Sequence, residues 1–110
     1  MNLVYESMSD ESIIERIHGG DNEAVDYLMG KYVPLVKRVS RTMYIIGSDF
    51  EDITQEGMIG LFKAIRDYSI DKGSTFYNFA KLCIERQVYS AVTASNRKKH
   101  TPLNTYISLF

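Results

Sequence analysis

The sequence predicts an all-α fold, a compact bundle of about four helices. Three observations lead to this prediction. Apolar residues recur at spacings of three and four along most of the chain, with almost none of the strict alternation that favours strands. The chain has 110 residues, of which 45% are hydrophobic and 25% charged, a composition that suits one folded domain. Proline is rare, with 2 residues, so long helices are compatible with the sequence.

The first two predicted helices fill the N-terminal part of the chain. Ser9 and Asp10 can cap a short helix, which Gly19 and Gly20 end. Asp21 or Asn22 begins the second helix, and its apolar residues form one buried face: Val25, Leu28, Met29, Tyr32, Val36, Val39 and Met43. Pro34 lies inside this pattern and predicts a kink or a break, and Gly47 ends the segment.

Two further helices follow. Ser48 and Glu51 have the spacing of a capping box, which predicts a third helix that runs to about residue 68. Residues 69–74 indicate a turn, and Ser74 or Thr75 caps a fourth helix that reaches about residue 95. Residues 101–110 are predicted to be non-helical, because a proline at 102 disfavours helix before it. We therefore expect one domain over residues 1–100, with a short N-terminal helix at 1–20 and a core at 22–97.

The charge is divided unevenly along the chain. Residues 1–60 hold 5 Lys or Arg and 11 Asp or Glu, a balance of −6, whereas residues 61–110 hold 8 and 3, a balance of +5. Such asymmetry favours two halves with different partners. The alternative at this point is a chance split with no function.

The third predicted helix has a second face that contains apolar residues. Its inner stripe includes Gly57 and Gly60, which allow close approach of a neighbouring helix. The other side places Ile59 and Phe62 among polar and charged side chains: Asp52, Gln55, Glu56, Lys63 and Arg66. Apolar residues ringed by charge are typical of a protein interface. The alternative is that another helix of the same domain covers them.

The fourth predicted helix also has two stripes. The inner stripe contains Phe76, Ala80, Cys83, Ile84, Gln87 and Ala91. The second stripe interleaves aromatic, basic and hydroxyl side chains: Phe79, Leu82, Arg86, Tyr89, Ser90, Thr93 and Arg97. Rings stack on bases and arginines contact phosphates, so this pattern favours nucleic-acid binding. Lys98, Lys99 and His100 extend it with further positive charge. A core aromatic beside solvated arginines is the alternative.

Catalysis, metal binding and membrane insertion find little support in the sequence. The two histidines are far apart and at no metal-ligand spacing from the one cysteine, Cys83, which we interpret as a core residue. We find no phosphate-binding glycine motif and expect no cofactor. The chain has no secretion signal and no apolar run of about 20 residues, so we expect a cytoplasmic protein with no membrane partner.

The segment from Asp52 to Ile65, DITQEGMIGLFKAI, resembles bacterial RNA polymerase sigma factors of the sigma-70 family. The resemblance continues through Gly73 and Val92 and covers region 2 of that family, about residues 22–97. The segments LCIERQV and KKHTPLNTYISL are most similar to the sigma-H type of alternative sigma factor. The resemblance implies an all-helical domain that binds the clamp helices of the β′ subunit of core RNA polymerase and the non-template strand of the promoter −10 element. It also implies that residues 101–110 begin a linker to a C-terminal DNA-binding domain.

The resemblance assigns expected roles to two sets of residues. The positions that match β′ contacts are Asp52, Gln55, Glu56, Met58 and Phe62, to which the helix pattern adds Ile59. The aromatic positions that hold an unpaired base match Tyr68, Phe76 and Phe79, and the upstream edge of the −10 element matches Arg86, Tyr89 and Ser90. Primary sigma factors carry two adjacent tryptophans where this chain has Leu82 and Cys83, which implies weaker DNA melting and stricter promoter demands.

The sequence therefore predicts a non-enzymatic sigma factor domain that binds core polymerase and recognises and melts the −10 element. The rival hypothesis is a sigma-like helical module that binds a protein regulator and no DNA. The sequence leaves open whether an anti-sigma factor is a partner.

Overall fold

A computed structural model describes the backbone of residues 2–44 and 49–107, and the side chains of residues 4–44 and 49–94. Over these residues the fold is all-helical, as predicted, and it contains no strand. The helices are α1 (Asn2–Glu6), α2 (Asp10–His18), α3 (Asn22–Met43), α4 (Phe50–Asp67) and α5 (Phe76–Ile107), with a short 3₁₀ helix (Ile70–Lys72) between α4 and α5. The four longer α-helices correspond to the four predicted ones, and α1 was not predicted.

The helix α1 was missed because five residues are too few to show a helical period. It nevertheless belongs to the core, since Tyr5 is buried and its hydroxyl donates hydrogen bonds to both carboxylate oxygens of Asp21, at 3.1 and 2.9 Å. The caps of the next two helices are as predicted. Ser9 accepts a hydrogen bond from the backbone N–H of Ser12, and Asp21 accepts one from that of Ala24.

The helix α3 continues through Pro34, so of the predicted kink or break the structure excludes the break. Pro34 itself is exposed, and the missing backbone donor costs one hydrogen bond. The residues on either side of it, Tyr32, Leu35 and Val36, are buried in the core. Their packing against α4 and α5 holds the helix together across the proline.

The ends of α4 and α5 also differ from the prediction. The N-cap of α4 is Asp49, whose side chain accepts a hydrogen bond from the Glu51 N–H, and the predicted cap Ser48 lies outside the described residues, as does Gly47. Thr75 caps α5 as expected, by accepting from the Asn78 N–H at 3.2 Å. However, α5 does not end near residue 95 but continues to Ile107. The prediction of a non-helical tail was wrong over residues 101–107, because no glycine interrupts residues 76–107 and one proline removes a single donor. Residues 108–110 lie outside the described residues.

Candidate protein and nucleic-acid interfaces

Two glycines of α4 bring this helix unusually close to its neighbours, Gly60 to α5 and Gly57 to α3. A Cβ atom placed on Gly60 would lie 2.8 Å from the carbonyl oxygen of Cys83 and 2.9 Å from the Cβ of Gln87. One placed on Gly57 would lie 2.7 Å from a methyl carbon of Val36. Real Cβ atoms do not approach this closely, so only glycine fits at either position. The close approach predicted from the sequence is confirmed, and it sets the outward sides of α4 and α5 next to each other.

The outward side of α4, which we call the acidic face, consists of Asp52, Gln55, Glu56, Ile59 and Phe62. Ile59 is 44% and Phe62 49% exposed, although both are large hydrophobic residues. The alternative that another helix covers them is wrong for the described part of the chain. Asp52 and Gln55 are exposed beside them, whereas Met58 is half-buried against the core. An exposed apolar centre with a polar rim is the anatomy of a protein interface.

A hydrogen-bonded bridge connects the acidic face to α5. The side-chain amide of Gln87 donates to Glu56 Oε1 at 2.9 Å, and its oxygen accepts from Lys63 Nζ at 3.1 Å. Glu56 is half-buried by this contact. The bridge fixes the Glu56 carboxylate at the edge of the face and leaves the two apolar side chains free.

The outward side of α5, which we call the basic face, consists of Phe79, Leu82, Arg86, Tyr89, Ser90 and Thr93. Tyr89 is 63% and Leu82 43% exposed, and Arg86 and Ser90 are exposed as well. Phe79 and Thr93 are half-buried. Arg97, Lys98 and Lys99 lie on the helical backbone of α5, and their side chains fall outside the described residues. The described part of this face offers flat rings beside a guanidinium group, as nucleic-acid binding requires.

A pocket of about 250 Å³ opens where α4 ends and α5 begins. Tyr68, which is only 5% exposed, and the half-buried Phe79 line it with rings that contact each other at a centroid distance of 5.7 Å, and the remaining lining comes from Asp67, Ser69, Lys72 and Ser74. The Tyr68 hydroxyl donates to the Ser74 carbonyl at 2.5 Å, which ties the turn to the end of α4. Gly73 allows this turn because its φ of 81° is unfavourable for other residues. We name this feature the Tyr68–Phe79 pocket.

Phe76 does not reach the surface. It is fully buried, and its ring packs edge-on against Tyr32 and Tyr68 at centroid distances of 5.2 and 5.5 Å. A base cannot contact this ring in the observed conformation, so the structure corrects the assignment of Phe76 to the DNA-binding residues. The physical reason is that Phe76 lies on the inner stripe of α5, where its ring packs against Tyr68 in the core.

Sequence reasoning missed two further surface features. The C-terminal half of α3 exposes Lys37, Arg38 and Arg41, and no acidic side chain pairs with them among the described residues. A signal was present, because residues 30–43 contain four cations and no acid. The second feature is a groove of about 500 Å³ beside Phe62, lined by Ile17, His18, Asn22, Val25, Asp26, Ile65 and Arg66. No sequence signal points to it, since its walls come from three separate helices.

The described residues contain no cluster of three or more His, Cys, Asp or Glu that could hold a metal ion. Burial raises the pKa of the half-buried Cys83 thiol, which keeps it protonated near neutral pH and unreactive as a nucleophile. None of the helices in the described ranges combines the length and apolar character needed to cross a membrane.

Comparison with known proteins places the chain in a family. The family model described as Sigma-70 region 2 matches residues 28–98. The chain is 51% identical over 102 residues to the RNA polymerase sigma-H factor of Bacillus subtilis (strain 168), an alignment that covers 93% of this chain and 47% of that protein. The sigma-H factor of Bacillus licheniformis is also 51% identical over 102 residues, covering 93% and 46%. The sigma-K factor of Bacillus subtilis is 32% identical over 82 residues, covering 74% and 28%. The chain thus spans about half the length of the two sigma-H relatives.

Proposed function

The chain belongs to the sigma-70 family through its region 2, and from this premise we propose that it binds core RNA polymerase and recognises the −10 element of promoter DNA. The family is non-enzymatic, so the domain acts by binding and not by making or breaking bonds. The observation that carries the proposal is the presence of two differently charged outward faces on one closely packed helix pair. We also propose that the protein works in the cytoplasm, where its polymerase partner is found.

The acidic face of α4 is the proposed polymerase contact. Ile59 and Phe62 supply an apolar centre that becomes buried on binding, and Asp52 and Gln55 supply the polar rim. The partner is the clamp-helix coiled coil of the β′ subunit. A central exposed aromatic residue of this kind contributes disproportionately to binding, so Phe62 is expected to be the hot spot.

The polymerase contact is tested by measuring the affinity of Phe62→Ala and Gln55→Ala variants for a β′ fragment that contains the coiled coil. Phe62→Ala should weaken binding by on the order of 2 kcal/mol. Ile70→Ala is the matched control, because Ile70 is a large exposed hydrophobic residue outside both faces. Unchanged affinity in both variants, with the fold intact, would contradict the assignment.

The basic face and the Tyr68–Phe79 pocket are the proposed DNA contact. Taking a base out of the duplex costs a few kcal/mol, which a receptor for the extruded base must offset. Stacking on an aromatic ring returns about 1–3 kcal/mol per base, and Phe79 is the half-buried ring at the pocket mouth. Arg86 lies about two turns further along α5, where it can contact a guanine at the still-paired upstream edge.

The DNA contact is tested by comparing single-stranded −10 oligonucleotides with fork-junction DNA. Phe79→Ala should weaken binding to the unpaired strand by about 1–3 kcal/mol and binding to duplex much less. Tyr44→Ala is the control, since it removes an exposed aromatic side chain far from α5 in sequence. Equal losses on both DNAs, or no loss, would show that Phe79 only packs in the core.

The rival hypothesis of a module that binds a regulator and no DNA predicts a different outcome for the wild type. Such a chain would show no affinity for the −10 single strand, whatever its affinity for a protein. The exposed ring of Tyr89 beside Arg86 favours DNA binding, because a protein regulator does not require an aromatic ring next to a guanidinium group.

A further inference from the structure

A carboxylate from α2 reaches the first turn of α5. Glu11 Oε2 accepts a hydrogen bond from the backbone N–H of Phe76 at 2.7 Å, across 65 residues of sequence. The first N–H groups of a helix have no acceptor within the helix, and a negative charge at this end also interacts favourably with the helix dipole. Thr75 satisfies the N–H of Asn78, so Glu11 and Thr75 together cap the N-terminus of α5.

The capped turn supports the Tyr68–Phe79 pocket directly. Phe76, whose N–H Glu11 holds, packs its ring against Tyr68 at 5.5 Å. Phe79 lies three residues further along α5, and its backbone N–H donates a hydrogen bond to the Thr75 carbonyl at 3.1 Å. A shift of this turn therefore moves both rings of the pocket, one through the Phe76 ring and the other through the helix backbone.

The contact is not needed for α2 to form or to pack. The Ser9 side chain caps α2 independently, and Ile13 and Ile14 anchor it in the core. Glu11 is half-buried and directed away from this anchor, towards α5. Removing its carboxylate should therefore affect α5 more than α2.

We propose that Glu11 is a positioning residue for the base pocket: its carboxylate holds the first turn of α5 so that the Phe79 ring stays packed beside Tyr68 at the pocket mouth, where it can stack on an unpaired base. This inference rests on the proposed DNA-binding function and adds to it a residue from α2, outside the segment 28–98 that matches the family. Glu11 itself does not contact the base.

The test uses the 110-residue chain and a −10 non-template oligonucleotide, intact and with each base in turn replaced by an abasic site. The wild type should bind the intact strand more tightly than the strand that lacks the captured base. Glu11→Ala should reduce this discrimination by up to about fivefold, the factor that corresponds to the stability a helix cap contributes. Glu11→Gln should restore most of it, because the amide oxygen can accept the same hydrogen bond.

Ser9→Ala is the matched control, since it removes a helix cap of similar strength from α2 without touching α5. It should lower the melting temperature and keep the wild-type discrimination. Amide exchange gives a second readout: protection of the Phe76 N–H should fall in Glu11→Ala and persist in Ser9→Ala. Should Glu11→Ala not fold, Glu11→Asp shortens the reach of the carboxylate and serves the same comparison.

Two results would overturn the proposal. Glu11→Ala with wild-type discrimination would show that the contact is dispensable, and an equal loss in Ser9→Ala would show that any loss of stability has the same effect. A wild type that discriminates at no position would instead overturn the base pocket, and with it the role of Glu11.

Discussion

The outward faces of α4 and α5 are neighbours on one closely packed helix pair, yet they differ in charge and in construction. The acidic face is complete within a single helix, since Asp52, Gln55, Ile59 and Phe62 follow the helical period of α4. The basic face is not, because its pocket also needs the turn around Gly73 and the end of α4.

This difference shows how many structural elements each kind of interface requires. A protein contact can be made by one amphipathic helix with an exposed apolar centre. The proposed base pocket draws on more than one element, because its two rings, Tyr68 and Phe79, come from the end of α4 and from α5. Gly60, which lets α4 pack closely on α5, serves both faces, whereas the side chains on each face serve only one.

The largest expected effect comes from the shared helix contact. Gly60→Ala places a Cβ against the α5 backbone at Cys83, so it should lower the free energy of unfolding by about 2 kcal/mol and weaken both binding activities. Gly30→Ala is the matched control, since nothing lies within 4 Å of the added carbon. It should stabilise α3 by about 0.5–1 kcal/mol. Denaturant unfolding of the two variants measures this contrast, and equal behaviour would refute the close contact.

The second prediction compares the two faces by salt dependence. If Lys81, Arg86 and the cluster at 97–99 neutralise about four phosphates of the single strand, the log–log slope of DNA affinity against salt should be about −3. Binding of the β′ fragment should depend much less on salt, because its centre is apolar. Titrations of both partners over the same salt range give the two slopes. A flat DNA response would mean that the basic face is only a solvated surface.

How far the sequence predicts these faces depends on how local each feature is. The helical period alone identifies Gly57, Gly60 and Phe62, because each belongs to one helix. It also places Phe76 on the inner stripe, where the structure buries it, whereas the family resemblance had assigned this residue to DNA binding.

Non-local contacts explain the remaining differences. The bond between Glu11 and Phe76 joins residues 65 positions apart, and no spacing rule describes it. Likewise, α3 continues through Pro34 because the buried residues beside the proline pack in the core. The helical period of the sequence does not predict that packing.

The third prediction concerns the loss of folding stability at low pH. Unfolding should weaken binding at both faces together, whereas damage to one face should weaken only one of the two binding activities. The Tyr5 hydroxyl, followed by the Ala24 N–H and Arg16, lowers the pKa of Asp21, which belongs to neither face. A lowered carboxyl pKa stabilises the fold above the unfolded value of about 4 and loses that effect as the pH falls below it.

Thermal melts between neutral pH and about pH 2.5 should therefore show falling stability, and Asp21→Asn should flatten the part of the curve below about pH 4. Binding to both partners should decline together in this range. An unchanged curve for Asp21→Asn would show that Asp21 does not provide the pH dependence.

The smallest expected effect comes from the bridge between the faces. Gln87→Met removes the hydrogen bonds to Glu56 and Lys63 and keeps the side-chain volume. Stability should fall by less than about 1 kcal/mol, and β′ affinity should fall slightly, because Glu56 is no longer held. DNA affinity should stay unchanged, as measured with the same oligonucleotide. A larger loss for DNA than for β′ would show that the bridge belongs to the basic face.

The central claim is that two separate surfaces of one domain bind polymerase and DNA. It is tested most directly by titrating the −10 non-template strand into the chain when it is free and when it is saturated with the β′ coiled-coil fragment. Separate faces predict a ternary complex in which the DNA affinity is the same or higher. Displacement of one partner by the other would show that they share a surface, and it would contradict the division between α4 and α5.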